Sequence, residues 1–259
     1  MKPRTFPRLF ALLGALLVAF VILPLAVTLF STNPARLADT LVDPEVGRSI
    51  GITLSAAAVA TGLGLLGGLP LSYLLARTRF PGKKVVEGII DLPVVIPHTA
   101  AGIALLMVFG RLGILGQAFA PVGLVFTDTL AGVVVAMLFV SLPYLVNMSR
   151  EAFALIDPEM ERVAAIDGAT PWQAFWYVTL PQAWRGIAGG ALMMWARGIS
   201  EFGAVVILAY HPKVVPVLIF ERFQGFGLAN ALPVAVLLIV AVLAIFTILR
   251  GLLLPEEQR

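Results

Sequence analysis

Six apolar stretches alternate with polar segments along the chain, and each is long enough to cross a lipid bilayer. A transmembrane helix needs about 20 mostly apolar residues, and lipid cannot hydrogen-bond to the backbone of an open strand. The sequence lacks the runs of about ten alternating residues that are typical of membrane β-barrels. We therefore predict an all-α integral membrane protein with six transmembrane helices in a single transmembrane domain over residues 1–259. The predicted spans are approximately residues 9–30, 50–76, 89–109, 130–148, 186–208 and 232–254.

The distribution of lysine and arginine predicts how these helices are oriented. Cytoplasmic loops of membrane proteins carry an excess of both residues. With a cytoplasmic N-terminus, 12 of the 18 lysines and arginines fall in cytoplasmic segments, five in outside loops and one, Arg197, within a span. We therefore expect both termini in the cytoplasm. The apolar run 9–30 is longer than the core of a signal peptide, so we expect it to be retained as the first span.

The composition agrees with a membrane location and narrows the possible chemistry. Hydrophobic residues make up 59% of the chain and charged residues only 13%, against about 25% charged residues in a typical soluble domain. The formal charge of +3 is explained by basic cytoplasmic loops, so we expect no nucleic-acid partner. Because the sequence has no cysteine, it has neither a disulfide framework nor a thiolate metal site.

The longest cytoplasmic segment, residues 149–185, contains two sets of helix signals. Asp157-Pro158 predicts a helix N-terminus, and Gly168 predicts the end of that helix. Thr170-Pro171 predicts a second start, and we expect the second helix to end before Pro181. Two short capped helices joined at a glycine form a rigid docking element rather than a flexible linker.

Several motifs that suggest an enzyme lack the required context. Gly62-x-Gly64-x-x-Gly67 matches a dinucleotide fingerprint but lies inside an apolar span. We interpret these glycines, and Gly186-x3-Gly190, as sites of close helix packing. The sequence contains no complete phosphate-binding loop and no metal-ligand spacing of histidines. We therefore expect no catalytic residue, cofactor or metal site, and no enzyme activity, in this chain alone.

The long loop resembles a motif of a transporter family. Residues 162–168 read Arg-Val-Ala-Ala-Ile-Asp-Gly, and after nine further residues 178–181 read Val-Thr-Leu-Pro. This is similar to the EAA loop of binding-protein-dependent ABC importer permeases, which reads Glu-Ala-Ala, three residues, Gly, nine residues, Ile-x-Leu-Pro. Arg162 stands where the family has glutamate, and the adjacent Glu161 is a candidate substitute in an ion pair to the ATPase. The resemblance implies an ATPase-coupling loop that contains Glu161, Arg162, Ala164, Ala165, Gly168, Trp172, Phe175, Leu180 and Pro181.

Three aromatic residues of this loop share one helix face. Trp172, Phe175 and Trp176 are spaced at i, i+3 and i+4. Such a face can anchor a partner in a pocket, or it can pack the loop onto its own bundle. The spacing alone leaves both interpretations open, and the resemblance to the EAA loop favours an anchor for the ATPase.

Two further stretches resemble one branch of this family. Asp91–Leu106 and Trp195–Ala204 look like the molybdate/tungstate permeases, with the sulfate and thiosulfate permeases a close second. The resemblance covers about residues 10–250 and implies a type I ABC importer permease of the cell membrane, which moves an oxyanion inward by alternating access. It implies three partners: a second copy of the chain, two copies of a cytoplasmic ABC ATPase that binds ATP and Mg, and an extracytoplasmic oxyanion-binding protein. A secondary transporter would need inverted repeats that we do not find, and a membrane scaffold would not explain the two capped helices.

The predicted spans contain a small group of polar residues. Arg197 and Glu201 are four residues apart, so they can pair on one helix face. They either line the translocation path, where Arg197 would meet a dianion, or form an internal pair that fixes helix packing. We favour the internal pair, because Glu201 would repel the dianion. Pro93 and Pro97 predict a kink at the start of the third span, which either lets His98 and Thr99 line the pore or is only an irregular entry to the helix. The candidate path or gate residues are Pro97, His98, Thr99, Arg197, Ser200 and Glu201.

Overall fold

The computed structural model describes residues 5–253 of the chain, with side chains from Arg8 onward. Within that part the chain forms α-helices, one 3-10 turn (Ala120–Val122) and one π turn (Phe175–Thr179), and no strand. The all-α prediction is therefore confirmed for the described residues. The helices are α1 (Thr5–Phe30), α2 (Pro34–Leu41), α3 (Pro44–Arg77), α4 (Lys83–Val95), α5 (His98–Phe109), α6 (Ile114–Phe119), α7 (Leu130–Ala154), α8 (Glu159–Ile166), α9 (Pro171–Ala174), α10 (Leu180–Ile199), α11 (Gly203–Leu208), α12 (Val215–Phe226) and α13 (Leu228–Leu253).

Four of these helices are both long enough and apolar enough to cross a membrane. They are α1 from Arg8, α3, α7 and α13, and they match the predicted spans 9–30, 50–76, 130–148 and 232–254 to within a few residues. Residue 254, the predicted end of the last span, lies outside the described part. No residue of the apolar segment of α1 is buried in the chain, so this helix leaves its surface for lipid or for another protein.

The third predicted span, 89–109, is two helices rather than one. Helices α4 and α5 meet at a bend of 114°, and Ile96 between them is extended, with φ −76° and ψ 148°. The break lies at Pro97, because proline lacks the N–H that would continue the helix and disfavours the helical conformation of the residue before it. Pro93 lies inside α4 without a break.

The fifth predicted span, 186–208, is also divided. Helix α10 ends at Ile199, three residues intervene, and α11 begins at Gly203. At the other end, the expectation that the second loop helix stops before Pro181 is wrong. Helix α9 continues through the π turn directly into α10, which begins at Leu180 and carries Pro181 in its first turn. Proline is tolerated there because the first-turn N–H groups of an α-helix have no intrahelical partner.

Helix α7 lies at the centre of the bundle, where it packs against both α3 and α10. Its inward side chains, such as Val133 and Val140, are almost fully buried. The predicted close packing is confirmed at three glycines: a Cβ at Gly190 would lie 3.1 Å from Met148 Cβ, one at Gly186 would overlap Ala152, and one at Gly64 would lie 2.5 Å from Met194 Cε. It is wrong at Gly62 and Gly67, where no atom of another described segment lies within 4 Å of the position of a Cβ. Gly186 and Gly190 let α10 approach α7 closely, which fixes the position of the loop that precedes α10.

Candidate functional site

The first helix of the long loop, α8, begins and ends where the sequence signals predict. Asp157 Oδ1 accepts a hydrogen bond from the Glu159 N–H at 2.9 Å, and the helix starts at Glu159. At its other end Gly168 has φ +92°, a left-handed conformation that a residue with a Cβ rarely adopts. The Ala169 N–H then donates to the Ala164 carbonyl at 2.9 Å, which closes the helix end.

The second loop helix has a complete capping box. The Thr170 hydroxyl accepts from the Gln173 N–H at 3.3 Å, and the Gln173 carboxamide accepts from the Thr170 N–H at 2.8 Å. Since the π turn Phe175–Thr179 follows directly, α9, this turn and α10 form one continuous helical segment. π turns inside helices occur frequently at functional sites.

Glu161 connects α8 to the long helix α3 and to the π turn that precedes α10. Its carboxylate accepts hydrogen bonds from Tyr73 Oη at 3.0 Å, from Arg77 Nε at 3.0 Å and from Thr179 Oγ1 at 2.8 Å. Arg77 also donates from Nη1 to the Ile156 carbonyl at 2.8 Å. The Glu161 side chain is only 20% exposed. Its carboxylate is therefore engaged within the chain, whereas the sequence offered it as a candidate for an ion pair to the ATPase.

The outer face of α8 is apolar and exposed. Met160, Val163 and Ile166 are 45%, 56% and 84% exposed, and their i, i+3, i+6 spacing puts them along one side of the helix. Arg162 lies beside them and pairs with Glu159 at the surface. The sequence analysis missed this stripe, although its helical spacing was a usable signal.

The aromatic residues of the loop divide between two roles. Phe175 packs edge-on against Tyr73, with ring centroids 5.0 Å apart, and also contacts Phe153. The rings of Trp172 and Trp176 pack on Phe175 and line an apolar groove of about 580 Å³ between the loop and α3. Phe175 therefore anchors the loop to its own bundle, while Trp172, at 68% exposure, lies at the rim of the groove.

The polar residues of the predicted path meet at the two helix breaks. Arg197 Nη2 donates to Glu201 Oε2 at 3.0 Å, and His98 Nδ1 lies 3.4 Å from the same carboxylate oxygen. The other carboxylate oxygen accepts from the Ala204 N–H at 2.8 Å, which caps α11. Arg197 Nη1 also donates to Ser200 Oγ at 3.2 Å. Glu201 is 1% exposed, and every one of its contacts is internal, as expected of the favoured interpretation.

The breaks of the third and fifth predicted spans are in direct contact. A Cβ at Gly203 would lie 2.7 Å from His98 Cβ, so only glycine allows α11 to start this close to α5. Pro97 and Thr99 are exposed beside this cluster, and the His98 side chain is 40% exposed. The six candidate path residues are therefore brought together, with four of them hydrogen-bonded to each other.

An ionic network that the sequence analysis did not anticipate joins the start of α3 to α12. Lys213 Nζ lies 2.8 Å from Glu221 and 3.1 Å from Glu45, and Arg222 lies 2.6 Å from Asp43. The hydrogen bond from Lys213 lowers the pKa of the Glu221 carboxyl below its usual value of 4.5. The network brings together residues up to 179 positions apart, which no local pattern could reveal.

Comparison with known proteins matches this chain to membrane subunits of transporters. The family described as binding-protein-dependent transport system inner membrane component matches residues 68–254. The molybdate/tungstate transport system permease protein WtpB of Thermococcus kodakarensis is 43% identical, over 94% of each chain, and that of Pyrococcus furiosus is 45% identical, over 94% of this chain and 93% of the relative. The sulfate transport system permease protein CysT of Escherichia coli is 33% identical, over 81% of this chain and 78% of the relative.

Solved structures with the same fold are also transporters. The chain matches a bacterial alginate ABC transporter in complex with an alginate pentasaccharide-bound periplasmic protein, with a TM-score of 0.74, 18% identity, and coverage of 94% of this chain and 93% of that one. It matches an inward-facing MetNI methionine ABC transporter with a TM-score of 0.64, 21% identity, and coverage of 80% of this chain and 94% of that one.

Proposed function

This chain belongs to the binding-protein-dependent transport system inner membrane components, and we propose that it is the permease subunit of an ABC importer for molybdate or tungstate. The proposed substrate rests on the sequence identity of 43% and 45% to two molybdate/tungstate permeases over almost the whole chain. The sulfate permease CysT shares only 33% over a shorter stretch. A sulfate or thiosulfate permease is therefore the second candidate.

Contacts across the bundle support six crossings with both termini on the same side of the membrane, and the excess of lysine and arginine on that side makes it the cytoplasm. The Arg77–Glu161 pair puts the end of α3 and the start of α8 on one side of the membrane. The chain between them must then cross an even number of times, which fits if α4 and α5 together make one crossing and α7 makes another. The Lys213–Glu45 pair likewise puts the start of α3 and the segment after α11 on one side, which fits if α10 and α11 make one crossing. Helices α1 and α13 complete the six.

The loop that contains α8 is the element that couples the permease to its ATPase. The exposed stripe of Met160, Val163 and Ile166 has the apolar chemistry of an interface core, and Arg162 adds a charge at its edge. The small residues Ala164, Ala165 and Gly168 permit close approach of a partner. ATP and Mg are bound by that ATPase, and closure of two ATPase copies turns the permease outward.

The cluster at the helix breaks holds the membrane segments in register. A buried carboxylate that is paired and capped is a structural element, whereas a conduit must release its substrate readily. His98, Arg197 and Ser200 border the path on their exposed sides, together with Pro97 and Thr99. Glu201 fixes the start of α11 through the Ala204 N–H.

The assembled importer contains a second copy of this chain and an extracytoplasmic binding protein that delivers the oxyanion. A structural neighbour solved together with its periplasmic protein supports the binding-protein partner. The unburied α1 and the exposed residues beside the His98 cluster provide surfaces for a second copy and for lipid.

The function is tested by reconstituting the permease in liposomes with its ATPase and binding protein. ATP hydrolysis and uptake are measured with molybdate, tungstate and sulfate in turn. Stimulation by molybdate or tungstate, but not by sulfate, is the expected result. Stimulation by sulfate alone would favour the second candidate, and uptake without the ATPase would favour a secondary transporter. The variant Ile166→Asp, which places a charge in the exposed stripe, should lower binding of the ATPase.

A further inference from the structure

Three side chains from two other parts of the chain donate hydrogen bonds to the carboxylate of Glu161. Tyr73 and Arg77 come from the end of α3, Thr179 from the π turn, and Glu161 from the loop helix α8. We call this group the Glu161 clamp. Glu161 Oε1 accepts from both Arg77 Nε and Thr179 Oγ1, while Oε2 accepts from Tyr73 Oη. Thr179 is 0% exposed, and the Arg77 and Glu161 side chains are 10% and 20% exposed.

The clamp holds Thr179, the last residue of the π turn. The π turn has a wider hydrogen-bonding pattern than the α-helices on either side of it, and such insertions are a known cause of helix kinks. The loop helices α8 and α9 precede the π turn in sequence. Helix α10 follows it for 20 residues, a length of about 30 Å, and carries Arg197 in its last turn, next to the break between α10 and α11.

We propose that Glu161 is a positioning residue which links α8 directly to α3 and to the end of this π turn, so that movement of α8 is passed to α3 and α10. The inference rests on the proposed function, because it concerns how a push from the ATPase reaches the membrane segments. Along the chain, a push on α8 reaches α10 only through α9 and the π turn, where it can be lost by bending. The Glu161 carboxylate bypasses that route, because it bonds directly to Thr179 at the end of the turn and to Arg77 of α3.

This role requires both the negative charge of Glu161 and the position of its carboxylate. Hydrogen bonds to an ionised group are stronger than neutral ones, and partial burial strengthens them further. Arg77 also donates to the Ile156 carbonyl, just before α8, so the clamp holds both the approach to α8 and the helix itself. The clamp does not use the exposed Met160, Val163 and Ile166 stripe, and docking of the ATPase therefore does not depend on it.

The test compares coupling with docking in the complete reconstituted transporter. Glu161→Gln and Thr179→Val each weaken the clamp, whereas Thr179→Ser keeps the hydroxyl. Glu151→Gln is the matched control, because Glu151 is an exposed carboxylate near the same loop with no ion pair in the part of the chain that is described. We measure basal ATP hydrolysis, binding of the ATPase, and molybdate taken up per ATP hydrolysed.

Glu161→Gln and Thr179→Val should retain ATPase binding and basal hydrolysis, but lower uptake per ATP by about tenfold, as expected for loss of a charge-assisted hydrogen bond. Thr179→Ser and Glu151→Gln should behave like the wild type. Combining Glu161→Gln with Thr179→Val should add little to either single change. Loss of binding and uptake in parallel, or equal behaviour of Thr179→Val and Thr179→Ser, would overturn the clamp. A wild-type transporter that does not respond to any oxyanion would instead overturn the proposed function.

Discussion

Removing Arg197 should destabilise the protein more than removing the charge of Glu201. Glu201 is 1% exposed and accepts from both Arg197 Nη2 and the Ala204 N–H. Arg197→Met leaves that carboxylate buried without its cation. Glu201→Gln keeps an acceptor for Ala204, and it leaves a guanidinium that is 19% exposed and still bonded to Ser200.

The magnitudes follow from burial. Leaving a buried charge uncompensated costs about 3 to 5 kcal/mol, so this is the expected effect of Arg197→Met on the free energy of unfolding. Glu201→Gln replaces one charged acceptor by a neutral one and should cost about 1 to 3 kcal/mol. The double variant no longer buries an unpaired charge, and its effect should be smaller than the sum of the two by roughly 1 to 3 kcal/mol.

The assay is reversible unfolding of the purified permease by SDS in mixed micelles. Ser200→Ala is the matched control, because it removes one exposed hydroxyl from the same cluster and should change the unfolding free energy by less than about 1 kcal/mol. If Arg197→Met proves no more destabilising than Glu201→Gln, or if the two effects simply add, then the pair does not hold the helix breaks together.

Three further predictions concern other parts of the chain. Gly186→Leu should separate α10 from α7, because even its Cβ overlaps Ala152; it should unfold at lower SDS concentration than the wild type, and an unchanged midpoint would contradict the packing. Gly168→Ala should destabilise α8 by about 1 to 2 kcal/mol, because its φ of +92° strains any residue with a Cβ. Gly168→Asn should destabilise α8 less than Gly168→Ala, because asparagine tolerates a left-handed conformation better. Equal uptake and equal thermal stability of these two variants would exclude a conformational cause. Lys213 lowers the pKa of Glu221 below its usual 4.5, so the pairing stabilises the fold above pH 4.5 and is lost as the pH falls through the lowered pKa. Thermal unfolding should therefore show an advantage of the wild type over Glu221→Gln that disappears only below pH 4.5.

The parts of the fold that the sequence predicted are those with local causes. The four apolar helices, the caps at Asp157 and Thr170, and the helix end at Gly168 each depend on residues within one or two helical turns. Long apolar runs are stable only as helices in lipid, and side-chain caps act on neighbouring N–H groups. Such features can be inferred without any knowledge of the tertiary structure.

The sequence predicted many of the residues of the candidate site but not how they are arranged. The sequence singled out Glu161 for an ion pair to a partner, and the structure instead surrounds it with Arg77, Tyr73 and Thr179. The helical spacing of the exposed stripe on α8 can be read from the sequence, but only the structure shows that this face points outward, with Glu161 and Ala164 half-buried on the other side. The direction in which a short loop helix faces depends on the helices behind it, which lie far away in sequence.

The sequence by itself determined that this protein is a helical membrane permease, because hydropathy, helix caps and the loop motif are all properties of contiguous residues. Pro97 also signalled the break in the third predicted span, but only the tertiary structure decided that the fifth span is divided after Ile199 and which polar groups meet at the two breaks. The contact between His98 and Gly203, the pairing of His98 with Glu201 and the closure of the Glu161 clamp all join residues from different helices. Their positions follow from the packing of α5 against α11 and of α3 and α10 against α7, since no single segment contains the partners that satisfy its buried polar groups.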